Sequence, residues 1–596
     1  MTRPPREPVL GSEFPSPTIV DSRRLMGPNL MHPGLGAVLD VSLDDTHADH
    51  DAALLAAWHA RVADITGVLG WTDAVTVQRT YPGGASLFVH APIDQLMTAT
   101  EVCESAWVHA EQVAAGGDAS DDDALPALQA FADAEARPAL VAVWHAAQSR
   151  GLNVTFDEAT VAIGTGAGAQ CWPIDELPSA DAIDWSAVRD IPIVLVTGSN
   201  GKTTVVRMVA AMARAEGHVV GHTCTDGVWI DGTQVESGDW SGPAGARRVL
   251  QDPSVTFAVL ECARGGMLRR GLAVQHASVA AIITLSPDHF GDYGIHDLAT
   301  LAEAKLVVGR AVIESGVLVY NAAIPALAAA LSSYTGRVVP LRLGIVNSTH
   351  TEPRGHGEAP EVEQGRSFAA GMSPSLRASV RGELDGEFAL TAKEFARIPA
   401  TLNGTAAHNM LNATVAAAIA RELAFGPAAK AALLTFGAGR EDNVGRLMVR
   451  HVGGVTIVID YAHNAQGVTA LIDATRAFPA TRRAIALGTG GDRDDVALQA
   501  IAQAAFDSGV IDLYIAKEMP KFLRGRAPGS ISGVLLDALR ALGVSDDHLV
   551  AAPDDVRAAQ IALDWARDGD LILLATHDLR DAVLALITSR AEFRSQ

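Results

Sequence analysis

The chain has 596 residues, a formal net charge of −23 and 48% apolar residues, enough for three or four domains with sizeable cores at roughly 150 residues each. The acidity, with no basic stripe, argues against nucleic acid, whose phosphates are held by clustered Lys and Arg. No apolar run approaches the roughly 18–20 residues that cross a bilayer.

The opening stretch, MTRPPREPVLGSEFPSP, is basic and Pro-rich and lacks the apolar core of a secretory signal, so a cytoplasmic protein is expected. Cys103, Cys171, Cys224 and Cys262 lie far apart and form no C-x-x-C pair, which predicts reduced, mostly buried thiols rather than a disulfide framework or zinc site. GGDASDDDAL (116–125) reads as a solvated loop. ALQAFADAEARPALVAVWHAAQSRG (127–151) reads as one or two helices stopping at Gly151.

IPIVLVTG (191–198) is a continuous apolar run and predicts a buried strand. The helix KTTVVRMVAAMARAEG follows, with Val205, Val209, Met212 and Ala213 on one face and Gly217 as its stop. Between them, Gly198 and Gly201 enclose two residues, where the common phosphate loop G-x-x-x-x-G-K-[ST] encloses four. Strand, glycine loop and helix together predict an anion cradle built from Gly198, Ser199, Asn200, Gly201, Lys202, Thr203 and Thr204. Lys202 is placed to reach the β- and γ-phosphates, and Thr203 to touch Mg²⁺.

Two further strands follow. TFAVLE (256–261) ends in Glu261, and ASVAAIITL (277–285) runs into SPDHFG, with Asp288 and His289. A carboxylate at a strand end beside a phosphate loop suits Mg²⁺, whereas a lone His such as His289 is more often a satisfied structural residue. The Gly-, Pro-, Glu- and His-rich segment at 345–380 reads as surface loops. VTIVIDYAH (455–463), RAIALGTGGDRD (483–494), IDLYIAKE (511–518) and DLILLATH (570–577) are apolar runs with polar ends. In a parallel sheet those ends gather at the carboxyl edge, where ligands bind.

TGSNGKTT, with its short glycine spacing, resembles the nucleotide loop of the Mur ligase superfamily of amide-bond ligases. SPDHFG resembles the D-H motif of that superfamily, and Lys305 in LAEAKLVV matches a lysine that many members carbamylate. LNGTAAHNMLNATVAAAIA (402–420) resembles the adenine-side helix, with Asn409 and Asn412 in place. VGRL and VIDYAHNAQGV resemble the C-terminal motifs, with Arg446, Asp460 and His463. Within the superfamily, GHTCTDGVWIDGTQVESGDWSGP, LECARGGMLRRGLAV and KEMPKFLRGRAPG resemble the Mur-like ligase module of the cyanophycin synthetase family. RRLMGPNL (23–30) and DEATVAIGTGAG (157–168) resemble pieces of that family's N-terminal domain. There are two departures. The stretch between VAIGTGAG and the phosphate loop is too short for the family's ATP-grasp domain, and Thr284 stands where the family usually has Asn.

The resemblance implies an α/β protein of three parts: an N-terminal α+β domain (1–187), a central P-loop domain with a parallel sheet (188–437) and a C-terminal Rossmann-like domain (438–596). It implies ATP and Mg²⁺, with Thr203, Glu261 and His289 as metal ligands. Lys202 and Arg446 would supply positive charge, Lys305 is a candidate for carbamylation or an ordinary surface lysine on a helix, Asn409 and Asn412 would meet adenine, and Asp460 ribose. The implied reaction joins a carboxylate and an amine through an acyl phosphate, with amino acids or short peptides as substrates. A retired ligase that binds nucleotide or a partner protein is the alternative. Arg264 and Arg269 are candidates for gripping a substrate carboxylate, or are solvated helix-end arginines. Thr223, Thr225 and Asp226 are candidates for the same pocket, or form a polar turn; His463 is grouped with the substrate residues. The N-terminal region is expected to recognise an acceptor or to join subunits into a homo-oligomer.

Overall fold

The computed structural model describes residues 18–44, 47–116, 124–287, 290–342, 388–439 and 442–594. The expectations for the acidic run at 117–123, for Asp288 and His289, and for loops at 345–380 fall outside these residues. The chain divides into two compact units, Met1–Val339 and Pro340–Gln596.

The first unit begins with an antiparallel sheet of β1 (Ile19–Leu25), β2 (Gly36–Ser42), β3 (Thr76–Tyr81) and β4 (Gly84–His90), in the order β1-β2-β4-β3. Alternate residues of a strand face opposite sides. Thus Ala37, Leu39 and Val41 of β2 pack with Leu87 and Val89 of β4 against helices α1 (Ala48–Val68) and α2 (Leu96–Ala114). Trp58 and Trp107 are fully buried there, and the Trp58 indole N–H donates to the Cys103 carbonyl at 3.1 Å, the partner a buried indole requires.

The opposite face carries a buried ionic cluster. Arg23 pairs with Asp40, which also accepts from the Ser86 hydroxyl at 2.5 Å. Arg23 donates onward to the Leu268 carbonyl at 3.1 Å and lies 4.4 Å over the Tyr293 ring. Arg79 donates to the carbonyls of Tyr293 and Gly294 at 3.2 and 3.0 Å. The N-terminal sheet is thereby keyed to the turn that follows the D-H motif.

The 127–151 pattern resolves into two helices, α3 (Ala124–Glu135) and α4 (Pro138–Gln148). Pro138 starts the second, a position where its missing N–H costs nothing. A small antiparallel sheet of β5 (Val154–Phe156), β6 (Thr160–Ile163) and β7 (Gln170–Pro173) follows. Asn153, fully buried beside it, donates to Asp190 and to the His276 carbonyl and accepts from the N–H groups of Gln275 and His276.

The central sheet contains β8 (Ile193–Thr197), β9 (Val220–Cys224), β10 (Gly227–Ile230), β11 (Thr233–Ser237), β12 (Phe257–Glu261), β13 (Ala277–Ile282) and β14 (Val312–Asn321), in the order β11-β10-β9-β12-β8-β13-β14. From β9 to β14 neighbouring strands are parallel; β10 and β11 add an antiparallel hairpin at one side. Every residue of β8 and β12 is buried, as expected of strands covered on both faces. Helix α5 (Lys202–Ala215) follows β8, α6 (Pro243–Leu250) precedes β12, and α7 (Arg264–Arg270) and α8 (Leu298–Leu306) complete the layers.

The second unit holds helices 392–397, 407–422 and 427–435 and a six-stranded sheet. Its strand order is 448–452, 455–460, 571–575, 483–487, 513–517 and 549–552. The first pair is antiparallel and the rest are parallel. Separate apolar clusters fill its two faces. Cys103, Cys224 and Cys262 are buried and Cys171 is exposed, all as free thiols. No helix among the described residues is long and apolar enough to cross a membrane.

Candidate active site

The phosphate loop connects β8 to α5. Gly201 adopts φ 89° immediately before the helix, a left-handed conformation that favours glycine. A side chain at Gly198 would meet backbone atoms of Asn200 and Thr284 at 3.2 Å, a tight approach that glycine avoids. Thr284, the departure from the family pattern, holds the loop from below. Its hydroxyl accepts from the Asn200 N–H and donates to the Asn200 carbonyl, both at 2.8 Å, and its own carbonyl accepts from the Ser199 N–H. The Ser199 hydroxyl in turn accepts from the Ser286 N–H at 3.1 Å.

Parallel pairing of β12 with β8 and β9 sets Glu261 beside this loop. Its carboxylate, 2% exposed, accepts from Thr203 Oγ1 at 2.8 Å and from Thr225 Oγ1 at 3.0 Å, and Lys202 Nζ stands 3.9 Å away. Lys202 also donates to the Ser199 carbonyl at 3.4 Å. An ammonium, two hydroxyls and a carboxylate thus converge at a helix N-terminus, which itself favours anions. Among the described residues there is no cluster of three or more His, Cys, Asp and Glu suited to a metal. The oxygens of Thr203 and Glu261 are nonetheless the hard donors that Mg²⁺ takes when phosphates and water complete its shell.

The other candidates divide. Thr223 is fully buried and accepts from the Glu261 N–H at 3.2 Å, holding the strand end. Asp226 pairs with Arg207 at 2.7 Å, with side chains only 8% and 7% exposed. Arg264 reaches Asp292 at 2.9 Å, whereas Arg269 is exposed and donates back to Gly265 of its own helix at 3.1 Å. Lys305 lies on α8 at 3% exposure, unlike an ordinary surface lysine, because ammonium groups are seldom fully buried.

In the second unit, the Asp460 carboxylate accepts from the Leu447 N–H at 2.8 Å at the end of its strand. Gly445 at φ 71° and Leu447 at φ 49° bend the chain so that the Arg446 guanidinium lies 4.0 Å over the Tyr461 ring, within cation–π range. His463 Nδ1 is 3.1 Å from the Tyr461 carbonyl. Asn464 caps the next helix, accepting from the Gly467 N–H. Asn409 and Asn412, both buried on helix 407–422, bond to each other at 2.9 Å, and Asn409 donates to the Ala400 carbonyl at 2.7 Å.

Burial raises the Asp460 carboxyl to about 6, against the pull of Arg446 and the Leu447 N–H. Its unfolded value is near 3.9, so the folded state binds the proton more tightly. The stability Asp460 contributes is therefore fully present below about pH 4 and is lost as pH rises through about 6. Urea midpoints of wild type and Asp460→Asn, compared from pH 4 to 7, are expected to show wild type losing ground to the variant up to about pH 6 and then running parallel. A constant difference across that range would contradict the raised value.

A family profile described as "Mur ligase middle domain" matches residues 196–420, and one described as "Mur ligase, glutamate ligase domain" matches residues 445–576. The chain belongs to the Mur ligase superfamily. Among its relatives, the cyanophycin synthetase of Crocosphaera subtropica is 32% identical over 405 residues, which are 67% of this chain and 44% of that protein. The chain thus spans less than half the length of the cyanophycin synthetases it matches. The UDP-N-acetylmuramoyl-L-alanyl-D-glutamate–2,6-diaminopimelate ligase of Corynebacterium efficiens is 26% identical over 65% of this chain and 69% of its own. A solved structure of Mycobacterium tuberculosis folylpolyglutamate synthase complexed with ADP aligns over 67% of this chain and 90% of that chain, at 18% identity and a TM-score of 0.46.

Proposed function

We propose that this protein is an ATP-dependent carboxylate–amine ligase that joins an amino acid to an amino-acid or peptide-like carboxylate. The observation that carries this reading is the convergence of Lys202, Thr203 and Glu261 at the N-terminus of α5. A substrate carboxylate oxygen attacks the γ-phosphorus of ATP and ADP leaves. The amine nitrogen then attacks the acyl carbon, inorganic phosphate departs, the nitrogen loses its proton, and an amide remains. Such transfers depend on positioning and charge neutralisation.

In this reading the N–H groups of residues 198–204 cradle the phosphates, Lys202 neutralises the charge between β and γ, and Arg446 adds positive charge. Asp460 takes ribose hydroxyls, and Asn409 and Asn412 take adenine. Mg²⁺ held by Thr203 and Glu261, with His289 as a further ligand, would shield the phosphate charge when bound. Lys305, if carbamylated, would become an anion able to hold a second cation. Thr223, Thr225, Asp226, Arg264, Arg269 and His463 are assigned to the substrates. The parts are those of the three-part division at 187/188 and 437/438.

Phosphate release from ATP, measured against a matrix of carboxylates and amines with mass spectrometry of the products, tests this directly. Turnover that requires both partners, with a product one water lighter than their sum, is the expected result. ATP binding with no pair giving turnover would overturn the ligase and leave a nucleotide-binding module.

A further inference from the structure

Three polar side chains meet inside the second unit at positions the reaction above does not use. Lys517 ends strand 513–517, Asp555 opens helix 555–565, and His577 lies just past strand 571–575. Lys517 is 1% exposed and Asp555 3%. Lys517 Nζ is 2.7 Å from Asp555 Oδ1 and 2.9 Å from His577 Nδ1. Asp555 Oδ2 also accepts from the N–H groups of Asp578 and Leu579, at 2.9 and 3.0 Å. His577 Nε2 is 3.2 Å from the Ala462 carbonyl, and its ring stands edge-on to Tyr461 at 4.9 Å.

These contacts determine the state of the imidazole. A lysine ammonium only donates and a carbonyl oxygen only accepts. His577 Nδ1 must therefore accept from Lys517, and its proton must sit on Nε2, where it is donated to Ala462. Burial, and then the Lys517 charge, hold His577 well below its ordinary range, so the ring is neutral. Burial would raise the Asp555 carboxyl, but the Lys517 charge, His577 and the hydrogen bonds from Lys517 and the Leu579 N–H together hold it below the usual carboxylate range, so Asp555 stays ionised. An ion pair this buried is a poor source of stability, since apolar residues of similar volume commonly serve as well or better. What the pair does supply is one tautomer of His577, aimed at one carbonyl.

We propose that Lys517, Asp555 and His577 are positioning residues for the turn Asp460–His463. They hold the Ala462 carbonyl and the Tyr461 ring, and Tyr461 is the surface on which the Arg446 guanidinium rests. The inference rests on the assignment of Arg446 and Asp460 to the nucleotide. Outer partners that orient metal ligands typically change affinity about 10- to 100-fold when removed, and a loss of the same order is expected for partners that orient a nucleotide-binding turn.

The test is the dissociation constant of ATP with Mg²⁺, measured by calorimetry on the full chain, with thermal midpoints alongside. His577→Leu, which can neither accept from Lys517 nor donate to Ala462, is expected to weaken ATP at least about tenfold. His577→Gln keeps one acceptor and one donor and is expected to restore most of that loss. Lys517→Met alone leaves Asp555 buried and unpaired and is at risk of unfolding. The double variant Lys517→Met, Asp555→Asn removes both charges together, keeps an acceptor oxygen for the N–H groups of Asp578 and Leu579, and is expected to weaken ATP as His577→Leu does. Wild-type affinity in the folded double variant, or equal loss in the Leu and Gln variants, would overturn the positioning role. No measurable ATP affinity in the wild type would overturn the nucleotide assignment itself, and this inference with it.

Discussion

Replacing Lys202 with alanine is expected to lower ATP-driven turnover by about 10²–10³-fold, the usual cost of removing one preorganised group from a developing anion. The expectation follows from where the ammonium sits. Lys202 is the first residue of α5, its side chain is 18% exposed, and its Nζ lies between the Ser199 carbonyl and the Glu261 carboxylate. Neither contact is close enough to hold it tightly, at 3.4 and 3.9 Å, so a phosphate oxygen can compete for it. The fold has little at stake. The loop is held by Gly201, by Thr284 and by Ser199, none of which needs the lysine side chain. Thermal midpoints of wild type and Lys202→Ala should therefore agree closely while phosphate release collapses. Wild-type turnover in the folded variant would remove Lys202 from the chemistry. A fall in midpoint matching the fall in rate would make it a structural residue.

The parts of this site legible in the sequence are those written locally. β8 and β12 are apolar along their whole length because both faces are covered, and Gly198, Gly201, Lys202 and Thr203 follow in a fixed spacing that only a strand–loop–helix corner can use. Glu261 was readable as a strand-end carboxylate for the same reason. In VTIVIDYAH the strand ends at Asp460, and the polar residues beyond it lie at its carboxyl end.

What was hidden depends on partners distant in the chain. β1 and β2 did not declare themselves, because Arg23 and Asp40 interrupt their apolar pattern and are satisfied by each other, by Asp21, by Ser86 and by Leu268. Thr284 looked like a simple departure from a family pattern, yet its hydroxyl makes two bonds to the backbone of Asn200, 84 residues away. Lys517 and His577 were visible only as polar ends of apolar runs. Nothing local says that they face each other, 60 residues apart, with Asp555 between them. Arg269, beside the glycine pair, lies exposed and donates to the Gly265 carbonyl of its own helix.

Glu261→Gln is expected to raise the Mg²⁺ concentration needed for half-maximal turnover at least about 10- to 100-fold, the range seen when even an outer partner of a metal is lost. The substitution is nearly isosteric, so it separates charge from shape. In the wild type both carboxylate oxygens accept, from Thr203 and from Thr225. In the variant one of those hydroxyls faces an amide NH₂ and can turn to accept from it, since a hydroxyl does either. The Glu261 N–H bond to Thr223 is untouched, because it belongs to the backbone. The local fold should persist with one negative charge fewer beside Lys202. A neutral amide oxygen is a weaker Mg²⁺ ligand than a carboxylate, so the deficit should appear in the Mg²⁺ titration before it appears in saturating turnover. Thr225→Val supplies the contrast. It removes a hydrogen bond to the same carboxylate while leaving its charge, and should move the Mg²⁺ requirement far less. Identical Mg²⁺ curves for wild type and Glu261→Gln would show that Glu261 braces the Thr203 and Thr225 hydroxyls and holds no metal.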